Sequence, residues 1–282
     1  MGEIIKGKTI ADKIKLDISE FVNFRKANNL IIPKIASILV GEDGGSIYYI
    51  NNQEKISKSL GVGFEKILFP SSISEEELID EIITLNNRED ISGIILQLPL
   101  PKDMDEKKVI STISSDKDID CLTYENVGKL YMGEKCFLPC TPNSVVRILK
   151  SLNVILEGKR AVIIGRSNIV GKPLSSLLLK ENCTVTVCHS KTENLKDVCK
   201  EADILISAIG KPKFINDEFV KDGAIVIDVG TSSVDGKITG DVDFDNVVNK
   251  ASFITPVPGG VGALTTTLLI KNSCEALEKD ED

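Results

Sequence analysis

"VIIGRSNIVGKP", residues 162–173, carries the parts of a phosphate cradle in order: an apolar strand-like run, a loop opening at Gly165 and closing at Gly171, and a helix with Pro173 in its first turn. The two glycines stand six residues apart, a longer loop than the GxGxxG fingerprint, so alone the stretch also reads as an ordinary strand-to-helix turn. The end of the following strand carries the decision. NAD sites usually place an acid there, roughly 20 residues past the glycines, to hold the ribose diol. Here that place reads "HSKT", His189 to Thr192. Ser190 and Lys191, with Arg166 from the first loop, can hydrogen-bond and neutralise a 2′-phosphate that a carboxylate would repel. NADP is expected over NAD, with Glu193 the nearby acid that would suit NAD.

Around this stretch the strand-and-helix alternation continues. Residues 159–165, 183–190, 202–210 and 224–230 read as short β-branched strands, and a final apolar helix spans about 264–277. In the first half, strands are expected at 35–41, 62–69 and 92–98, with helical patterns at 46–60 and 75–87. Ser74 followed by three glutamates is a helix start that sets acids on the positive end of the dipole. Strands alternating with helices imply parallel sheets, because parallel neighbours need a crossover connection. Between 99 and 143 proline pairs and aspartate clusters make the chain irregular, as at a domain junction, where ligands tend to bind.

The 42% apolar content of 282 residues supports two cores of ordinary domain size. Net charge is −8 with acids and bases interspersed, which argues against a nucleic-acid surface. No apolar run approaches the roughly 18 residues of a membrane span, and "MGEIIKGKTI" has no signal-peptide core, so a cytoplasmic location is expected. The tail "EKDED", 278–282, reads as a solvated end. Seven cysteines without zinc-ribbon or CxxC spacing read as reduced, mostly buried apolar residues, and no metal site is expected. The sole histidine, His189, follows Cys188 in a strand, where consecutive side chains point to opposite faces, so a Cys/His dyad is not expected.

Two further stretches bear on chemistry. In "SIYYINNQEK", 46–55, the helical advance of about 100° per residue places Ser46, Tyr49 and Gln53 within roughly 60° of one another and Lys55 about half a turn away. "DKDIDC", 116–121, reads on its own as a solvated acidic turn; a calcium loop is disfavoured, since Cys121 sits where the turn needs glycine and Val127 where the bidentate glutamate belongs.

Taken together, "VGEDGGSIYYI", "GIILQLPLP", "KDID", "PCTP", "IGRSNIVGKP", "TVTVCHSKT" and "ITPVPGGVG" resemble, in order and spacing, the tetrahydrofolate dehydrogenase/cyclohydrolase family, from about residue 5 to about 275. The resemblance implies two α/β domains: an N-terminal folate-side domain, 1–140 completed by 264–282, and a Rossmann-like NADP domain, 141–263, with folate in the cleft between and a homodimer formed through the cofactor domains. It implies oxidation of methylene-tetrahydrofolate by hydride transfer to NADP, then hydrolysis of the methenyl cation to formyl-tetrahydrofolate. Residue by residue, Tyr49 matches the tyrosine that stacks on folate, Gln97 the glutamine of the reaction centre, with Leu98 and Pro99 beside it, and Asp120 the aspartate that holds the pterin edge. "PVPGGVG", with Pro258, Gly259 and Gly260, matches the segment near folate and nicotinamide. The cofactor positions implied are Gly165, Arg166, Ser167, Val170 and Gly171, then His189, Ser190, Lys191 and Thr192, and Gly230.

Three residues depart from the family pattern. Cys121 stands where glycine is usual and Ala263 where proline is, which bears on local backbone geometry. Gln53 stands where the family has the lysine taken to act in proton transfer during hydrolysis. An amide can position but cannot titrate, so the expectation is an active dehydrogenase with weak or absent cyclohydrolase activity. The alternatives are a fully bifunctional enzyme, in which another base such as Lys117 acts, and a non-catalytic folate or nucleotide binder. A dehydrogenase of the shikimate type would not account for "QLPLP" together with "PGGVG".

Overall fold

The computed structural model describes residues 1–234 and 236–279, so the last three residues of the acidic tail lie outside the described chain. Two compact units result: Met1–Asp12 with Pro139–Thr265, and Lys13–Leu138 with the chain from Thr266 on. In order, the first half holds β1 (Glu3–Ile4), α1 (Gly7–Ala27), β2 (Lys34–Val40), α2 (Gly44–Ser59), β3 (Gly63–Phe69), α3 (Glu75–Asn86), β4 (Gly93–Leu96), α4 (Glu106–Thr112) and α5 (Tyr124–Met132). The second half holds α6 (Cys140–Ser151), β5 (Arg160–Ile164), α7 (Gly171–Lys180), β6 (Thr184–Cys188), α8 (Leu195–Lys200), β7 (Ile204–Ser207), β8 (Ile225–Asp228), β9 (Ser232–Val234), β10 (Lys237–Thr239), α9 (Phe244–Val247), β11 (Phe253–Ile254) and α10 (Gly262–Lys279).

The unit built mainly from the first half centres on a parallel sheet of order β3-β2-β4. Alternation along β2 sends Ala36, Ile38 and Val40 into a core with Leu78, Ile82 and Leu85 of α3. Ser37, between them in sequence, is buried with its hydroxyl against α2. The Ser74 start signal closes as a full capping box: Ser74 accepts from the Glu77 amide, and the Glu77 carboxylate accepts from the Ser74 amide. Ser74→Ala is expected to cost about 1 kcal/mol of stability, read as a drop of a few degrees in the thermal midpoint with kinetics unchanged.

The other unit is a six-stranded parallel sheet of order β1-β11-β8-β7-β5-β6. The chain leaves β5 to one side for β6 and returns to the other side for β7, which makes the carboxyl ends of β5 and β7 a topological switch point, the usual ligand crevice of open α/β sheets. Its core gathers Val162, Ile164, Leu205, Val226 and Ile254 from the strands, with Phe219 and Val247 beneath. The short β1 pairs with β11, which draws the amino terminus into this sheet.

The expected strands and helices are present with ends shifted by a few residues, but the region read as irregular is not. It contains α4 and α5, capped by Asp105, which accepts from the amides of Lys107 and Lys108, and by Thr123, which accepts from that of Asn126. The 21-residue α1 was also unanticipated, although Ala11, Ile14, Ile18 and Val22, all buried, keep helical spacing. None of the seven cysteines is in a disulfide, and six of them are buried. Among the described residues no helix is long and apolar enough to cross a membrane, and no group of three or more His, Cys, Asp or Glu is placed to hold a metal ion.

Candidate active site

Helix α2 begins where the Asp43 carboxylate accepts from the Ser46 amide at 2.8 Å and from its hydroxyl at 2.9 Å. That start sets Ser46, Ile50, Gln53 and Ser57 on the buried face. Tyr49 lies at its margin, 46% exposed, in an edge-on contact with Tyr48 at 6.0 Å. Gln53 is therefore the inward group. Its Oε1 accepts from Gln97 Nε2 at 2.9 Å and from Ser37 Oγ at 3.4 Å, while Gln97 Nε2 also donates to Ser37 Oγ at 3.0 Å. Two sequence-predicted residues thus meet in one neutral network, joined by a third that sequence reasoning missed. The available signal was a lone hydroxyl in the apolar run "IASILV".

Neither Lys55 nor Lys117 occupies the place of residue 53. Lys55 is exposed on α2. Lys117 Nζ donates to the carbonyls of Leu85 at 3.1 Å and Arg88 at 2.6 Å, at the end of α3. Half-buried Asp120 sits in a turn held by its neighbour Asp118. The Asp118 carboxylate accepts from the amides of Leu122 and Thr123, from the Thr123 hydroxyl and from Asn126 Nδ2. Burial pushes the Asp118 carboxyl above its ordinary value, against the downward pull of these bonds. Cys121 takes a φ of 57°, in the left-handed region that favours glycine. Leu98 and Pro99 follow Gln97 on the same unit; Pro258 and Gly259 are exposed on the other, where the Gly259 carbonyl accepts from the Gly7 amide and Gly260 is buried.

At the switch point an open cavity of about 290 Å³ is lined by Gly165 and Arg166 after β5, His189 and Ser190 after β6, and Ile209 and Lys211 after β7. Among the described residues no acidic side chain lines it. Ser167, Val170, Gly171, Lys191, Thr192 and Gly230 lie outside the lining. Ser167 Oγ accepts from the amides of Val170 and Gly171 where α7 begins, and Thr192 Oγ1 accepts from the His189 amide, so these residues shape the two turns. Two larger hollows, of about 420 and 480 Å³, take in none of the expected residues.

Gly230 donates its amide to Asp228, which is buried at the end of β8 and also accepts from the amides of Asp241 and Val242. Burial is the main cause that pushes the Asp228 carboxyl up to about 6 from an ordinary 3.8, and the charge of Asp241 adds to it. With the folded value raised, the proton binds the fold more tightly than the unfolded chain. The group therefore favours folding below about pH 4 and loses that contribution, on the order of 3 kcal/mol, as pH rises through 6. A carbon-13 titration of the Asp228 carboxyl is expected to show a midpoint near 6; one near 4 would remove the argument.

A parallel α/β sheet with a glycine loop at its switch point, on one chain with a second α/β unit in which buried Gln53 meets half-buried Gln97, defines the class of two-domain α/β proteins with a nucleotide-binding unit. The comparisons narrow it. The description "Tetrahydrofolate dehydrogenase/cyclohydrolase, catalytic domain" matches residues 5–120, and the NAD(P)-binding domain of the same family matches 139–281. A Clostridium botulinum protein called "Bifunctional protein FolD" is 67% identical over 282 residues, covering 100% of both chains. The crystal structure of the bifunctional FolD of Campylobacter jejuni aligns with a TM-score of 0.96 at 40% identity, over 99% of this chain and 100% of that one. The FolD of Trypanosoma brucei, complexed with NADP cofactor and inhibitor, aligns at 0.95 and 34%, over 99% and 98%. The chain belongs to the tetrahydrofolate dehydrogenase/cyclohydrolase family.

Proposed function

We propose that this chain oxidises 5,10-methylene-tetrahydrofolate to the 5,10-methenyl form with NADP, in one-carbon folate metabolism. The observation that carries the cofactor choice is the switch-point cavity, where Arg166 and Ser190 share a lining that holds no carboxylate among the described residues. Arg166 and Ser190 would hold the 2′-phosphate, and Ser167, whose hydroxyl accepts from the Val170 and Gly171 amides, keeps the glycine loop in shape beside them. When bound, NADP supplies the hydride acceptor. The chain then has mainly to orient the substrate: Tyr49 stacks on it, Asp120 holds the pterin edge, and Gln97, with Leu98 and Pro99, fixes the reacting end. NADP in the Trypanosoma brucei structure supports the same choice.

The second reaction has two readings. The names of the relatives favour a bifunctional enzyme that also hydrolyses the methenyl product. The geometry at residue 53 favours slow hydrolysis, because the buried group facing Gln97 is an amide that neither takes up nor releases a proton. One experiment separates them: supply methylene-tetrahydrofolate with NADP, then with NAD, and follow the methenyl chromophore. Accumulation with NADP supports the oxidative reading with slow hydrolysis, and prompt clearance supports the bifunctional one. Preference for NAD would overturn the cofactor assignment, and saturable folate binding without turnover would make the chain a binder. A cytoplasmic homodimer belongs to the same reading, and its mass in solution checks it.

A further inference from the structure

The loop after β7 supplies Ala208, Ile209 and Lys211 to the wall of the switch-point cavity, and Phe214 follows them. A carboxylate about thirty residues further along the chain fixes this loop. Asp241 is fully buried, with Oδ2 accepting from the Ile209 amide at 2.8 Å and the Ser207 hydroxyl at 2.9 Å, and Oδ1 accepting from the Lys211 amide at 2.8 Å. Every partner donates, and a carboxylate accepts on both oxygens, so charge and geometry agree. Asp241 is in turn held from behind: its amide and that of Val242 donate to Asp228 at 3.1 and 2.9 Å. A β-carbon on Gly230 would lie 2.2 Å from Asp241 Cγ, and one on Gly240 would lie 2.0 Å from Asp228 Oδ2, so both glycines make room for the carboxylates. Phe214 rests against Phe219 at 5.5 Å, and the Lys211 ammonium sits over the Phe214 ring.

We infer that Asp241 is a positioning residue for the nucleotide: without lining the cavity, it sets the 208–211 loop that forms one wall of it. This rests on the cavity being the NADP site, and it adds a requirement that the glycine loop and Arg166 do not contain. An asparagine at 241 would turn an N–H₂ toward one of the donating amides. The loop would then have to move away or leave a buried N–H unpaired.

The test compares Asp241→Asn, the parent chain, and Val247→Ala, a core change in the same unit that lowers stability and leaves the hydrogen bonds between Asp241 and the loop intact. Asp241→Asn is expected to raise the KM for NADP tenfold or more, with the KM for methylene-tetrahydrofolate within twofold and kcat at saturating NADP within threefold. Val247→Ala is expected to lower the thermal midpoint and leave the KM for NADP in place. A KM for NADP within twofold of the parent in Asp241→Asn, or an equal rise in Val247→Ala, overturns the inference. Should Asp241→Asn not fold, the exposed Lys211 decides, since Lys211→Pro deletes the loop amide whereas Lys211→Ala removes only the side chain. A several-fold higher KM in the proline variant supports the inference, and equal values overturn it. A parent chain that turns over neither nucleotide would instead defeat the proposed function. Calorimetric titration of the same variants with NADPH would still read the wall: weakened binding in Asp241→Asn supports its role and unchanged binding overturns it.

Discussion

Replacing Gln53 with lysine is expected to raise methenyl hydrolysis by about 10²- to 10⁴-fold, the usual contribution of a positioned acid–base group, and to leave oxidation within a few-fold. Hydrolysis needs a proton to leave the attacking water and another to reach a ring nitrogen, whereas hydride transfer needs neither from this side chain. The surroundings suit the change. Gln97 can turn its amide to offer oxygen instead of nitrogen, and the Ser37 hydroxyl can accept as readily as it donates, so an ammonium at 53 would find two partners. With Gln53 only 8% exposed, desolvation would pull the lysine pKa down toward neutrality, where it works best as a base. Decay of the methenyl chromophore, measured after oxidation is stopped, reports the rate directly. If the parent chain already clears the chromophore at the pace of its own oxidation and the lysine variant is no faster, hydrolysis does not depend on residue 53 and the bifunctional reading stands.

Gly165→Ala is expected to lower kcat/KM for NADP by about 100-fold or more while folate affinity stays near the parent value. Gly165 takes a φ of 130°, a conformation costing an L-residue on the order of 1–3 kcal/mol. A β-carbon there would also lie 2.4 Å from the Ala208 carbonyl oxygen, a backbone atom with no side chain to swing away. The loops after β5 and β7 would be forced apart at the cavity they line. Gln53, Gln97 and Asp120 belong to the other unit, so folate binding should persist in a calorimetric titration. A normal KM for NADP in this variant would mean that the loop tolerates the shift and that the cavity is not the site.

Much of this was legible beforehand because strand-forming runs such as "RAVII" and "KIASILV" are short, β-branched and bounded by breakers. The glycine loop and the "HSKT" turn proved to line or shape one cavity, since loops at the carboxyl ends of neighbouring parallel strands must converge. Helix α1 was missed because lysines and aspartates interrupt its apolar stripe, and α4 and α5 because their caps, Asp105 and Thr123, sit among residues that also signal turns. Ser37 and Asp241 lay beyond reach for another reason. Each acts through a hydrogen bond to a residue sixteen to sixty positions away, and even where a local oddity marks the residue, as the lone hydroxyl of "IASILV" does, nothing local names its partner.

The pairing of β1 with β11, together with the return of the chain to the other unit at Thr266, means that neither unit is one uninterrupted stretch of chain. A fragment that starts at Pro139 leaves behind the outermost strand of its own sheet and bares a row of unsatisfied amides and carbonyls along β11. A fragment that stops at Leu138 carries that strand with nothing to pair it. Dissecting this protein into independently expressed halves therefore calls for grafting the first dozen residues onto the nucleotide portion, since a single cut between the halves would invite each piece to aggregate.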